Sequence, residues 1–290
     1  VKTEAINPLS DKLDELSTVE MVQLFNKNDQ DVLRALDQAS EQIAQVIELV
    51  VKTIKNGGKV LYFGAGTSGR LGVLDAVECP PTFSTDKSLF LAFLAGGEGA
   101  MFQAVEGAED NYEAGYTECL SAVQAEDIVF GLSASGYARY VHGALVAAKE
   151  QGALTVAMAS HAEASSFQYA DQKIILDTGA EILSGSTRLK AGTAFKLCLN
   201  TISTASMVKL GKTFGNLMVD VKVSNEKLKA RATRLVSQIA EVDEQKAARA
   251  LADNHNQVKV AIVALKKQLS YQQALNLLDQ QDGFLKKALS

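Results

Sequence analysis

Tryptophan is absent from this chain, and proline, cysteine and histidine occur only three times each. The cysteines, Cys79, Cys119 and Cys198, are odd in number and far apart. They argue against a disulfide framework or a zinc site and for a reduced, cytoplasmic compartment. His142, His161 and His255 lack metal-ligand spacing, so no metal is expected and they receive no chemistry. Long apolar runs are missing as well. Stretches such as Leu89–Ala95 fall well short of the roughly 18 residues that a spanning helix needs, so no membrane partner is expected. The polar opening VKTEAINPLSDK carries no secretory core. Basic excess is also lacking: 29 Lys and Arg stand against 34 Asp and Glu, a net charge of −5. No nucleic-acid partner is expected, and any anionic ligand must be gripped by local loops.

What is present is an ordinary globular composition, 47% hydrophobic with 21 glycines over 290 residues. That length suits one large domain or two modest ones. Residues 1–50 read as a helical lead-in. Ser17 or Thr18 offers an N-cap with Glu20 in the first turn. The series Val32, Leu33, Leu36, Ile43, Val46, Ile47 and Val50 then runs at helical spacing toward Gly57. Over 51–215, short apolar runs at Lys59–Phe63, Leu89–Leu94, Asp127–Gly131, Leu154–Met158 and Lys173–Leu176 alternate with helix-length segments. Such alternation implies an α/β domain with a parallel sheet covered on both faces. From Asn216 the strand signal stops, and 216–290 reads as a small helical module.

The stretch GAGTSGR (64–70) follows the first apolar run, and Gly64, Gly66 and Gly69 fit the dinucleotide spacing G-x-G-x-x-G. A dinucleotide site wants an acidic residue about 20 positions later, at the end of the second strand. Here that strand ends in Ala95 and two glycines, and Glu98 opens the next helix. Hydroxyls stand out instead: Thr67 and Ser68 in this loop, and Ser133 and Ser135 in GLSASG after the third strand. Two such loops feeding helix N-termini make a pocket of donors suited to one phosphate. The plainer alternative is that these serines are helix caps.

Longer motifs then narrow the reading. GAGTSGRLGVLDAVECPPTF, AVEGAEDN, GAEILSGSTRLKAGTAFKL and GKTFGNLMVDVKVSNEKLKARA closely resemble the N-acetylmuramic acid 6-phosphate etherase family, over most of residues 3–235. The resemblance implies a flavodoxin-like parallel-sheet sugar isomerase (SIS) domain, a homodimer, no cofactor, and a cytoplasmic role in recycling cell-wall sugar. It implies cleavage of the lactyl ether of N-acetylmuramate 6-phosphate, a sugar phosphate, so the glycine loop would hold phosphate rather than NAD.

Such a reaction needs one carboxylate as base and one carboxylic acid as proton donor. Read unaided, Glu78 stands before Pro80 and Pro81, where a helix is expected to stop. Glu109 shares a helix with Glu106, Asp110 and Glu113, a spacing that reads first as a solvated acidic face. The resemblance assigns the acid to Glu78 and the second catalytic role to Glu109. Arg188 and Lys190 are candidates for orienting the anionic ligand, with an ion pair at a helix end the other reading of Lys190. Glu181 reads equally as a helix-start residue or as a ligand to sugar hydroxyls. The family pattern is broken in places. Ala138 and Arg139 stand for a usual Thr-Pro, Ile6 for an Arg, SHAEAS (160–165) for a Cys-Asn-Pro, and Phe195 for a Gln. Two other functions share the SIS core: a non-catalytic sugar-phosphate sensor of the glucokinase-regulatory kind, and a transcription regulator. The second would want a basic helix-turn-helix, and DKLDELSTVE is not basic.

Overall fold

The computed structural model describes residues 2–221, 223 and 225–290. At its centre run five parallel strands: β1 (Val60–Gly64), β2 (Phe90–Leu94), β3 (Ile128–Leu132), β4 (Leu154–Ala159) and β5 (Gln172–Ile175). Their order is β2-β1-β3-β4-β5, the flavodoxin-like arrangement. Every residue of β1 and β3 is buried, which is why both read as unbroken apolar runs rather than as alternating ones. Phe63 stacks on Phe93 across β1 and β2 at 4.5 Å, and Tyr62 meets Phe130 edge-on at 5.4 Å. At the other end of the sheet the buried Asp127 accepts from Lys59 N at 2.8 Å and from Gln124 N at 2.9 Å, fixing where β1 and β3 begin.

The lead-in forms α1 (Thr18–Asn28), α2 (Gln30–Gln38) and α3 (Ser40–Lys55). Ser17 and Glu20 make a reciprocal capping box that starts α1. Ile43, Val46, Ile47 and Val50 of α3 are buried, as their spacing requires. Between and after the strands come α4 (Gly66–Phe83), α5 (Tyr112–Ala122), α6 (Arg139–Glu150) and α7 (Lys190–Lys209).

By compactness the chain divides into two units: residues up to Ala76 with Ser88–Ser203, and Val77–Lys87 with Thr204–Ser290. The lead-in lies within the first. The second contains a hairpin that the sequence reading missed, β6 (Thr213–Phe214) with β7 (Leu217–Met218). Its strands are too short to show alternation, and its only signal is the two-residue Gly215–Asn216 turn, with Gly215 at φ +57°. Five helices follow: α8 (Glu226–Ala240), α9 (Glu244–Asp253), α10 (Val258–Lys267), α11 (Tyr271–Gln280) and α12 (Leu285–Leu289). They bury Val236, Leu251, Ile262 and Leu278 among others. Lys259 stitches this unit together, its Nζ donating to Asp220 at 2.7 Å and to the carbonyls of Gly211 and Gly283 at 2.8 and 3.0 Å.

One expectation about helix ends is corrected. α4 does not stop before Pro80; it carries both Pro80 and Pro81 and ends at Phe83. The proline ring favours a helical φ, but each proline has no N–H to donate to the carbonyl one turn back, and its ring crowds that carbonyl.

Beneath β1 sits a buried carboxylate. Asp75 accepts from Tyr62 Oη and from Ser203 Oγ, each at 3.0 Å. Burial, opposed by these bonds and by Lys196, pushes its pKa up to about 6. A raised pKa means that the folded state prefers the protonated acid. The stability this gives is complete below about pH 4 and is lost as pH rises through about 6. Wild-type stability should fall by roughly 3 kcal/mol across that window, at about 1.4 kcal/mol per unit. Asp75→Asn should lack that component, as urea melts of both proteins at pH 4 and pH 7 would read directly.

Candidate active site

In a 2-1-3-4-5 sheet the chain reverses its direction of winding between β1 and β3, and ligands bind beyond the carboxyl ends of those strands. Both serine loops emerge there. The first turns tightly from β1 into α4, and the glycines explain how. A Cβ added to Gly64 would lie 2.6 Å from Gly69 Cα, and one on Gly69 would lie 2.6 Å from the Gly64 carbonyl carbon. Strand end and helix start therefore touch backbone to backbone, with Gly66 at φ +54° making the corner. The G-x-G-x-x-G spacing is this packing device. Beyond β2, Ala95, Gly96 and Gly97 lead into a 3₁₀ turn at Glu98–Met101, so no carboxylate ends β2 to hold a ribose.

The second loop lies against the first. Ala134 N donates to Ser68 Oγ at 3.3 Å, which leaves the Ser68 hydroxyl proton to point elsewhere. Ser133 and Ser135 place their hydroxyl oxygens 3.4 Å apart. Ser133 Oγ accepts from Gly136 N at 3.0 Å, and Ser135 Oγ accepts from Tyr137 N at 3.3 Å. Neither serine caps α6, whose N-cap is Ala138 with no side-chain bond. The cap reading of these serines is thus replaced by a loop in which three hydroxyls converge. Thr67 stands half-buried on the first turn of α4, its methyl facing Gly192 at the start of α7.

Of the two sequence readings of Lys190, ligand orientation or an ion pair at a helix end, the structure shows the ion pair, to Asp31 in the first turn of α2. The Lys190 side chain is 1% exposed, and its Nζ donates to Asp31 at 3.0 Å and Asn28 at 3.1 Å, so it ties α7 to the lead-in. A buried ammonium needs such partners, and burial lowers its pKa. Glu181 is a helix-start residue: fully buried, it accepts from Lys190 N at 3.0 Å and Ala191 N at 2.9 Å. Burial raises its pKa against those bonds. Asn7 Nδ2 reaches Asn28 at 2.9 Å, and Gly185 N donates to Thr3 O at 3.1 Å. The N-terminal segment is therefore pinned to the loop that precedes α7.

Of the two glutamates, Glu78 is exposed on α4. Glu109 is exposed on a separate 3₁₀ turn, Ala108–Asp110, while Glu106 lies in the turn before it and Glu113 in α5. The shared acidic helix does not form, because Asn111 caps α5 and starts it afresh, accepting from Ala114 N at 3.0 Å. The Glu109 segment borders a cleft of about 610 Å³ that Gly96 and Gly97 line at the end of β2, with Ala108 and Glu118. The three cysteines are buried, and burial pushes the Cys119 thiol up to about 12, so it is no nucleophile. Among the described residues no group of three or more His, Cys, Asp or Glu could hold a metal ion.

Sequence reasoning missed what stands behind the second loop. His161, 3% exposed, brings Nε2 to 2.7 Å from Ser135 O. Gly136 O accepts from Ser165 Oγ and Ser166 N at 3.0 Å each, with His142 Nε2 also at 3.0 Å. Burial lowers the His142 pKa. The one sequence signal was the departure SHAEAS.

Comparison with known proteins agrees with this architecture. Residues 42–149 match the glucokinase regulatory protein N-terminal SIS domain, 103–197 the SIS domain, and 215–258 the C-terminal lid domain of glucokinase regulatory protein. An N-acetylmuramic acid 6-phosphate etherase from Geobacillus sp. (strain WCH70) is 46% identical over 288 residues, 99% of this chain and 98% of the relative. One from Glaesserella parasuis is 48% identical over 285 residues, 97% and 93% of the two chains. In fold alone, a candidate sugar-phosphate isomerase of Listeria monocytogenes superposes with a TM-score of 0.51 at 14% identity, covering 68% of this chain and 94% of its own.

The second loop is intolerant of a side chain at Gly136, which holds φ +71° and where a Cβ would come within 2.2 Å of Ala164 Cβ. Gly136→Ala should cost on the order of 2 kcal/mol of stability and weaken anion binding. Urea denaturation and inorganic-phosphate titration would measure the two effects; unchanged values in both would contradict the loop geometry.

Proposed function

Because the chain belongs to the N-acetylmuramic acid 6-phosphate etherase family, we propose that it cleaves the D-lactyl ether of N-acetylmuramate 6-phosphate, giving N-acetylglucosamine 6-phosphate and D-lactate. The observation that carries this reading is identity of 46–48% over almost the whole chain with proteins so named. The serine loops support the phosphate end of it: Thr67, Ser68, Ser133 and Ser135, with nearby backbone N–H groups, take the 6-phosphate. Lys190 acts by holding α7 rather than by touching the ligand.

An ether resists direct displacement because an alkoxide leaves poorly. In the open-chain sugar the C1 aldehyde acidifies the C2 proton, which offers a route by elimination. Glu109 removes that proton, the C3–O bond breaks, and Glu78 protonates the departing lactyl oxygen. Water then adds across the C2–C3 double bond, its hydroxyl going to C3 and a proton to C2. The net change is ether plus water to alcohol plus lactate, by a carbon–oxygen lyase working through acid–base steps with no cofactor. We assign it to the cytoplasm, in the recycling of cell-wall sugar.

We further propose a homodimer. Phe102 is 90% exposed, Ile6 78%, Val19 66% and Leu33 62%, apolar side chains that a second subunit would cover. A non-catalytic sensor is the second reading, favoured by the matches to glucokinase regulatory protein domains. Against that second reading, the chain keeps both glutamates, Glu78 and Glu109.

The division of labour can be read separately for each residue. Glu109→Gln should lose both D-lactate release and exchange of the C2 proton with heavy water. Glu78→Gln should still exchange that proton while lactate release falls by roughly 10²–10⁴. The opposite pattern would swap the roles, and unimpaired lactate release in both variants would remove these carboxylates from the reaction.

A further inference from the structure

We propose that His161 is a positioning residue for phosphate recognition, acting through a single peptide group. The inference rests on the phosphate reading of the serine loops given above. A carbonyl oxygen only accepts, so the contact of 2.7 Å to Ser135 O means that His161 Nε2 carries the proton and donates it. The peptide joining Ser135 to Gly136 is planar and trans, and no described peptide is cis. Its C=O and N–H therefore point in opposite directions. By fixing the carbonyl on the far side of the loop, His161 aims Gly136 N–H forward, where Ser133 receives it on both its backbone carbonyl at 2.9 Å and its Oγ at 3.0 Å.

The consequence lies in the hydroxyl. An oxygen that accepts from a backbone N–H turns its own proton away from that bond, and the chain of bonds polarises it as a donor. Ser133 thereby turns its proton away from that N–H, to Ser135 Oγ at 3.4 Å or outward to an anion. The next peptide repeats the device. Ser165 Oγ, Ser166 N and His142 Nε2 hold Gly136 O from behind, so Tyr137 N–H faces forward to Ser135 Oγ at 3.3 Å. Two rearward-held carbonyls thus set the direction of two forward hydroxyls 3.4 Å apart. The His161 ring is itself kept in place by burial and by Tyr137, stacked at 5.7 Å between centroids.

The test compares His161→Leu, which removes the donor, with His161→Gln, whose amide nitrogen reaches about as far as Nε2. Each is assayed for KM and kcat with N-acetylmuramate 6-phosphate and for competitive inhibition by inorganic phosphate. His161→Leu should raise KM and the phosphate inhibition constant together, on the order of 3- to 10-fold, the size that one hydrogen bond carries. Its kcat should stay within about twofold, and His161→Gln should restore both constants. Wild-type phosphate inhibition in His161→Leu overturns the proposal, as does equal weakening in the Leu and Gln variants, which would mean packing alone. Should the Leu variant not fold, His161→Asn, with a shorter arm, replaces it under the same criteria against Gln. Ser135→Ala serves as the separate control for the phosphate site. If it leaves phosphate inhibition unchanged, the phosphate reading itself fails, whatever the His161 variants do.

Discussion

Parallel pairing of β1 with β3, which sets Gly64 opposite Leu132, is the constraint on which the site depends. It places the ends of two strands side by side at the point where the winding of the sheet reverses, and each strand continues into a serine loop. Without that adjacency, neither loop has enough donors to hold an anion in a chain whose net charge is −5. With it, Ser68 of one loop accepts from the backbone of the other, and three hydroxyls share one location. The backbone contact between Gly64 and Gly69 makes the approach possible, since any side chain there would push the first turn of α4 off the strand.

Directing those hydroxyls requires support from outside the loops. Behind the second loop, donors from His161, Ser165, Ser166 and His142 occupy two successive carbonyls. At the start of α7, Glu181 takes two backbone N–H groups while the Lys190 ammonium turns the other way, to Asn28 and Asp31. A buried charge with two partners there serves to fix the register of a helix whose first turns lie near Thr67. On the proposed reading, the polar groups of this region divide into those that would face the ligand and those that hold the former still.

Much of this was legible in the residues. The five strands lie within one residue of the apolar runs at both ends, most plainly at β1 and β3, where every residue is buried and the side chains are accordingly apolar. The loops were legible because hydroxyls next to glycines at strand ends are unusual enough to notice. The His161 support was not legible, since a side chain that bonds a backbone carbonyl leaves no pattern in the residue it serves. Lys190 stayed between two readings for a related reason. A cation in a site motif looks like a ligand-binding group until its partners in distant α1 and α2 are known. The two prolines of α4 misled because steric preference before proline is a tendency, and helical φ at proline itself is permitted. Glu109 was given the wrong neighbours because Asn111 restarts the helix within what reads as one acidic stretch.

The central claim is that local loops at the switch point recognise a phosphate on the sugar. The most direct measurement compares kcat/KM for D-lactate release from N-acetylmuramate 6-phosphate and from the same sugar without its phosphate. Hydrogen bonds to a charged group are worth about 1.5–3 kcal/mol each, so loss of several should lower kcat/KM by at least roughly a hundredfold. Equal values for the two sugars would contradict the account, because the serine loops would then have nothing to bind.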